Sequence, residues 1–325
     1  MTRAAATRLE AVTEADGYSR FGDRVADAVA TRRSQLVLGL DPDPGRLWPR
    51  AAGLADASAE ALVAPAERAA RAVAAHCALV LEATADQCVA VKPQVACFER
   101  LGAPGWRALV EVVERARAHG LLVIADAKRG DIDVSAAAYA QAFFGLSGTP
   151  YGQVPSVGAD ALTVNPLLGG DSLTPFLERA RESRGGLFVL VRTSNPGAAD
   201  VQDLQLADGG TVSERLAQLV ARLGEEGIGA SGLSDVGAVV GATVPERLDA
   251  LRTRMPRTIF LLPGVGAQGA TVEKLGAAFA PGRAGGLVSV SRGIVDAHLQ
   301  AGGDPAEVAR RQATALREAL WPLAG

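Results

Sequence analysis

The chain has 325 residues, a formal net charge of −3 and 48% hydrophobic residues, enough apolar side chains for a full core. A net charge so close to zero creates no field that would attract nucleic acid or an anionic membrane surface. No apolar run approaches the ~20 residues needed to span a bilayer, and residues 1–15 lack the apolar block of a signal peptide. We therefore expect a cytoplasmic protein that binds neither nucleic acid nor membrane.

Residues 1–15 mix charges with alanine, and we expect them to form a mobile tail ahead of one folded domain over 16–325. A helix is predicted over 21–33, before the first strand. Helical periodicity recurs over 106–119, 212–223 and 305–320. Between the helical patterns lie eight short apolar runs, at 36–41, 88–93, 121–128, 161–166, 187–194, 238–243, 259–265 and 286–293.

These runs are continuously apolar rather than alternating, which is typical of parallel strands covered on both faces. Eight strand-then-helix units predict an α/β fold, a single-domain (β/α)₈ TIM barrel. An open, doubly wound sheet is the alternative that the same pattern allows.

Polar side chains gather where the apolar runs end. In a TIM barrel the C-terminal ends of the strands meet at one mouth, which carries the active site. The residues at these ends are Asp41, Lys92, Asp126, Lys128, Asn165, Thr193, Ser194 and Arg292. We therefore predict a binding or catalytic site built from them.

The stretch IADAKRGDI, residues 124–132, concentrates this chemistry. Only three of the 33 basic residues are lysines, and Lys92 and Lys128 both close apolar runs. Asp126 and Lys128 are two apart on one strand and point to the same face, and a turn at Gly130 could bring Asp131 back toward the lysine. Flanking carboxylates favour the charged ammonium, so Lys128 is a candidate proton donor. A salt-bridged loop with no chemistry is the alternative.

Two glycine-containing loops predict a phosphate site. PGVGAQG (263–269) follows the seventh run and SRGI (291–294) the eighth, where TIM barrels often bind phosphate. Backbone N–H groups around Gly266 and Gly269 can approach an anion closely, Arg292 can bind it through two hydrogen bonds, and Gly293 opens a helix. A plain turn with a salt bridge is the alternative. The scattered histidines and cysteines predict no metal site.

Residues 194–210 form a long segment of small and polar residues after the fifth run. Long loops in compact domains are often lids. We expect this segment to close over a ligand, with Ser194 and Gln268 contacting it.

Six motifs in order resemble the orotidine 5′-phosphate decarboxylase family, and its longer bacterial branch most of all. They are GLDPDP (39–44), KPQVACFE (92–99), IADAKRGDI, VNPLLGGDSLTPF (164–176), RTSNPG (192–197) and PGVGAQG. The match extends from about Phe21 to Arg292, nearly the whole chain.

The resemblance implies decarboxylation of orotidine 5′-monophosphate (OMP) to UMP in pyrimidine biosynthesis, without a cofactor. It implies a Lys92–Asp126–Lys128–Asp131 network with Lys128 as proton donor. It also implies a homodimer in which Asp131 and Ser135 reach the neighbouring site. The implied substrate contacts include Asp41 at the ribose and Asn165, Thr193, Ser194, Gly266, Gln268, Gly269, Arg292 and Gly293 elsewhere. One departure is Asp133, which stands where the family has glycine.

Two alternatives share parts of this pattern. A magnesium-dependent sugar-phosphate decarboxylase would need a carboxylate near the second strand, and Glu99 is a candidate ligand. A barrel that binds nucleotide phosphates without catalysis is the other.

Overall fold

The computed structural model describes residues 20–57, 64–265 and 271–324; the predicted mobile tail, residues 1–15, lies outside them. Eight parallel strands close in the order β1-β10-β9-β8-β7-β6-β3-β2. Their bounds are β1 Leu36–Leu40, β2 Ala90–Pro93, β3 Leu122–Arg129, β6 Ala161–Val164, β7 Gly186–Arg192, β8 Val236–Val240, β9 Phe260–Pro263 and β10 Gly286–Val290. The predicted TIM barrel is therefore confirmed.

Helices surround this barrel. They are α1 Phe21–Arg32, α2 Pro49–Ala57, α3 Pro65–Thr84, α4 Val95–Glu99, α5 Ala103–Ala118, α6 Asp133–Phe143, α7 Thr174–Glu182, α8 Ala199–Gln202, α9 Val212–Gly224, α10 Leu248–Arg254, α11 Arg292–Val295, α12 His298–Ala301 and α13 Pro305–Leu320. A 3₁₀-helix, Val272–Phe279, follows β9 where the other units have an α-helix. No helix within the described ranges is long and apolar enough to cross a membrane.

The barrel strands are buried on both faces, as their continuous apolar runs predict. Every residue of β1, β2, β6, β8 and β10 is buried. Helix α1 adds a layer at the end of the barrel opposite the predicted site, where Phe21, Val25 and Val29 join the same core cluster as Val37 and Phe188. The rings of Phe21 and Phe188 meet edge to face, with centroids 6.0 Å apart.

A two-stranded antiparallel hairpin, β4 Leu146–Thr149 and β5 Gly152–Pro155, lies between α6 and β6. This hairpin was not predicted from the sequence. Its sequence, LSGTPYGQVP, has no apolar run, and all but one of its strand residues are exposed. Its register depends on a turn at which the Thr149 hydroxyl donates to the Gly152 carbonyl, not on burial of an apolar face.

Candidate active site

Six neighbouring strands, β2, β3, β6, β7, β8 and β9, surround a cavity of about 670 Å³ at their C-terminal ends. This cavity is called the lysine cavity below. Six of the predicted site residues line it: Lys92, Asp126, Lys128, Asn165, Thr193 and Ser194. They come from separate parts of the sequence, and barrel closure brings them together.

The Asp126 carboxylate is the centre of the cavity's hydrogen-bond network. Its Oδ2 accepts from the Lys92 ammonium at 2.6 Å and from the Gln94 amide at 3.2 Å. Its Oδ1 accepts from the Lys128 ammonium at 2.6 Å and from the Thr163 hydroxyl at 2.9 Å. Each carboxylate oxygen therefore has two donors, which fills its usual capacity and fixes the orientation of the group.

This network keeps the buried charges ionised. Burial alone would raise the pKa of Asp126, but the ammonium groups of Lys92 and Lys128 and their hydrogen bonds outweigh it and hold the pKa well below its ordinary value. Burial would likewise lower the pKa of Lys92, but the carboxylates of Asp126 and Asp41 raise it above its ordinary value. The cavity therefore contains a carboxylate between two ammonium groups.

Lys128 reaches this cavity through an irregular backbone. Its φ of 49° lies in the left-handed region, which costs a residue with a side chain about 1–2 kcal/mol. The register passes from the Ala125–Leu162 pair to the Arg129–Val164 pair, so three residues of β3 oppose one residue of β6. Asp126 and Lys128 both lie within this bulge, and both side chains line the lysine cavity.

Asp131 and Ser135, which follow β3, form no hydrogen bond or ion pair with this network within the described ranges. Asp131 is partly exposed, and its Oδ1 accepts from the backbone N–H of Ile132 at 2.9 Å. Within the described ranges it forms no ion pair with Lys128. Ser135 is exposed on α6. Asp133, at the family's glycine position, has a φ of 45°, a conformation that glycine adopts without strain.

A second cavity, of about 290 Å³, opens beside the ends of the neighbouring strands β1 and β10. It is called the arginine cavity below. Asp41 and Arg292 line it together with Ser291, and both predicted site residues are exposed. Arg292 and Gly293 form the first two positions of α11. The other predicted phosphate contacts, Gly266, Gln268 and Gly269, lie outside the described residues.

The segment predicted as a lid, residues 194–210, forms one wall of the lysine cavity. It contains a 3₁₀-turn, Pro196–Ala198, and α8. Gln202 accepts from the Thr193 backbone N–H at 2.8 Å. At its base, the buried Arg192 guanidinium contacts both carboxylate oxygens of Asp203, at 3.0 and 2.9 Å. The segment is therefore attached to the end of β7.

Glu99, the candidate magnesium ligand, lies on α4 and pairs with Arg129. The Arg129 guanidinium also lies 5.2 Å from the Tyr139 ring and 5.8 Å from the Phe143 ring. Within the described ranges, no group of three or more His, Cys, Asp or Glu side chains is placed to hold a metal ion.

Two partners of Asp126, Gln94 and Thr163, were not predicted from the sequence. Gln94 falls inside the motif KPQVACFE, and its position two residues after Lys92 was a usable signal. Thr163 carried no signal, because it lies in an apolar run and its contact with Asp126 spans 37 residues of sequence.

The chain is similar over most of its length to proteins of one family. The family model described as orotidine 5′-phosphate decarboxylase / HUMPS family matches residues 34–312. A protein of Deinococcus radiodurans named orotidine 5′-phosphate decarboxylase is 45% identical over 301 residues, which cover 92% of this chain and 96% of the relative. One of the same name from Rhodopirellula baltica is 43% identical over 281 residues, covering 86% and 89%.

A solved structure of Leishmania donovani OMP decarboxylase has the same fold, with a TM-score of 0.67 and 32% identity. The match covers 92% of this chain and 99% of that one. By the family model and by its relatives, this chain belongs to the orotidine 5′-phosphate decarboxylase / HUMPS family.

Proposed function

We propose that this protein decarboxylates OMP to UMP and CO₂ in de novo pyrimidine biosynthesis. The observation that carries the proposal is the Lys92–Asp126–Lys128 arrangement, with Asp126 bound by both ammonium groups at 2.6 Å, in the lysine cavity. Family membership and the names of the relatives support the same reaction.

The chemistry requires a site of this kind. Loss of CO₂ from C6 of the pyrimidine leaves a carbanion, and no cofactor is proposed to delocalise its electrons. The protein must therefore stabilise the developing charge with groups already in place. The Lys128 ammonium is held by Asp126, and its side chain is 46% exposed in the single chain. We assign it to stabilise the carbanion and then transfer a proton to C6.

Asp126 is assigned a position beside the carboxylate that leaves. Because the two lysines keep it ionised, its charge would repel the bound substrate carboxylate and be relieved as CO₂ departs. Lys92, whose side chain is only 9% exposed, orients Asp126 and can contact the ribose.

Substrate binding is assigned to residues of both cavities. Arg292 and the start of α11 are suited to the phosphate, and Asp41 in the same cavity to a ribose hydroxyl. Thr193, Ser194 and Asn165 line the lysine cavity and can contact the base. Closure of residues 194–210 would use binding energy from the phosphate to complete the site.

A homodimer is part of the proposal. The outer face of α6 is uncharged after Asp133: Val134 is 83% exposed, and Ala138, Gln141 and Ala142 are also exposed. The outer face of α5, by contrast, carries Arg107, Glu111, Glu114, Arg115 and Arg117. A face of small and apolar residues suits burial against a second copy, and it would place Asp131 and Ser135 beside the partner's site.

The magnesium-dependent alternative is less well supported, because the carboxylate of Glu99 is bound by Arg129. Turnover that is insensitive to EDTA would agree with a cofactor-free reaction.

The cytoplasmic location stays a prediction.

The test follows the loss of OMP ultraviolet absorbance with wild type, Lys128→Ala and Lys274→Ala, each with and without EDTA. Lys274 is the third lysine of the chain and is exposed, so its variant is the matched control. We expect Lys128→Ala to lose at least about a hundredfold in kcat while the control keeps wild-type turnover. OMP binding without an absorbance change would instead support the non-catalytic alternative.

A further inference from the structure

The Thr163 hydroxyl bridges two groups of the proposed reaction. Its oxygen accepts from the backbone N–H of Lys128 at 2.9 Å and donates to Oδ1 of Asp126 at 2.9 Å. Thr163 itself is 1% exposed. A hydroxyl has one proton to donate, and here that proton points to the carboxylate while a lone pair accepts the amide proton.

The bulge in β3 explains why this bridge exists. Three residues of β3 oppose a single residue of β6 between the two regular pairs, so the Lys128 N–H faces a side chain instead of a strand carbonyl. The left-handed φ of Lys128 persists only if neighbouring groups hold it. On the outside of the barrel, the Arg129 side chain is held by Glu99 and two aromatic rings. On the inside of the barrel, the Thr163 hydroxyl accepts a hydrogen bond from the Lys128 backbone N–H.

We propose that Thr163 is a positioning residue for the decarboxylation: its hydroxyl holds the Lys128 backbone in the bulge and fixes the orientation of the Asp126 carboxylate. The inference rests on the proposed function, since it assigns the residue to that reaction. Thr163 lies in the wall of the lysine cavity, but its only proton is already donated to Asp126. Its effect is therefore exerted through its two partners.

Two substitutions at Thr163 distinguish the effect of losing the hydroxyl group from the effect of changing the shape of the side chain. Thr163→Val keeps the branched shape and removes both hydrogen bonds. Thr163→Ser keeps the hydroxyl and removes only the methyl group. The matched control is Thr84→Val, because Thr84 is also fully buried and donates only to the Val80 carbonyl of its own helix, away from both cavities.

The experiment measures kcat and KM for OMP, UMP affinity by calorimetry, and thermal unfolding for all four proteins. We expect Thr163→Val to lose about 10- to 100-fold in kcat, the range for a buried hydrogen bond to a charged group, with KM and UMP affinity changed less than about threefold. Thr163→Ser should recover most of kcat, and Thr84→Val should keep wild-type kinetics.

Three outcomes would overturn the inference. Thr163→Val could keep wild-type kcat, Thr163→Ser could be no better than Thr163→Val, or UMP affinity could fall as far as kcat, which would indicate general disruption of the site. Absence of OMP turnover by the wild-type enzyme would be a different result, because it would reject the proposed function itself.

Discussion

The Lys92 ammonium lies 2.6 Å from Oδ2 of Asp126, and each of the two side chains is only 9% exposed. Two opposite charges removed from water stabilise a protein little as a pair, but loss of one partner leaves the other buried and uncompensated. The stability of the fold and the chemistry of the site therefore depend on the same contact.

Asp126→Asn should lower the free energy of unfolding by about 3 kcal/mol or more, because two ammonium groups lose their shared carboxylate. Turnover should be lost as well. The matched comparison is the double variant Lys92→Met/Asp126→Asn, which removes the buried charge left behind. We expect it to recover much of the stability, measured by urea unfolding, and none of the activity. Equal stability of the single and double variants would contradict this account.

Low pH should also remove the contribution of the Asp126 carboxylate to the free energy of unfolding. A carboxyl group whose folded pKa lies below its unfolded value, about 3.9 for Asp, contributes stability that is present above that value and is lost as the pH falls through the folded pKa. The pKa of Asp126 is lowered in this way. The difference in unfolding free energy between wild type and Asp126→Asn should stay constant from about pH 7 to 5 and shrink below about pH 4. A constant difference down to pH 3 would contradict the ion-pair explanation.

Arg292→Ala should reduce kcat/KM for OMP by several orders of magnitude, because binding energy from the phosphate is used to close the site and stabilise the transition state. Added guanidinium should restore part of the rate. Arg310→Ala removes an exposed arginine that pairs with Asp86 on the outer helices and serves as control. Unchanged kinetics in Arg292→Ala would contradict the assignment of Arg292 to the phosphate site.

Val134→Arg should separate the proposed dimer, because it places a charge on the uncharged outer face of α6. Ala118→Arg adds the same charge at the exposed end of α5 and should leave the mass in solution unchanged. Sedimentation equilibrium and kcat per chain are measured together. A Val134→Arg monomer with full activity would show that Asp131 and Ser135 are not shared between sites.

Arg252→Met should destabilise the fold without a direct effect on chemistry. The buried Arg252 guanidinium donates to the carbonyls of Met255, Thr258, Ala278 and Gly285 and lies 3.6 Å over the Phe260 ring. We expect a loss of about 3 kcal/mol or more in unfolding free energy. Arg257→Met changes an exposed arginine nearby and is the control. Equal denaturation midpoints for the two variants would contradict this role.

The sequence alone was enough to predict eight strand-then-helix units and the residues at the ends of their strands, although the same pattern also allowed an open sheet. Strands covered on both faces must be apolar along their whole length, so eight such runs separated by helical patterns could be recognised one at a time. The polar residues at the ends of most of these runs mark the edge of the buried layer. This local signal was sufficient to predict Lys92, Asp126 and Lys128 as one site.

The remaining features depend on contacts between segments that are distant in the chain, so they are defined only in the folded structure. The two extra residues of β3 at the bulge are defined only against β6, and so is the bridge through Thr163. The exposed hairpin of residues 146–155 buries no apolar face, and its sequence has no periodic signal. Register between strands is set by packing around the closed barrel, which no single run of residues encodes.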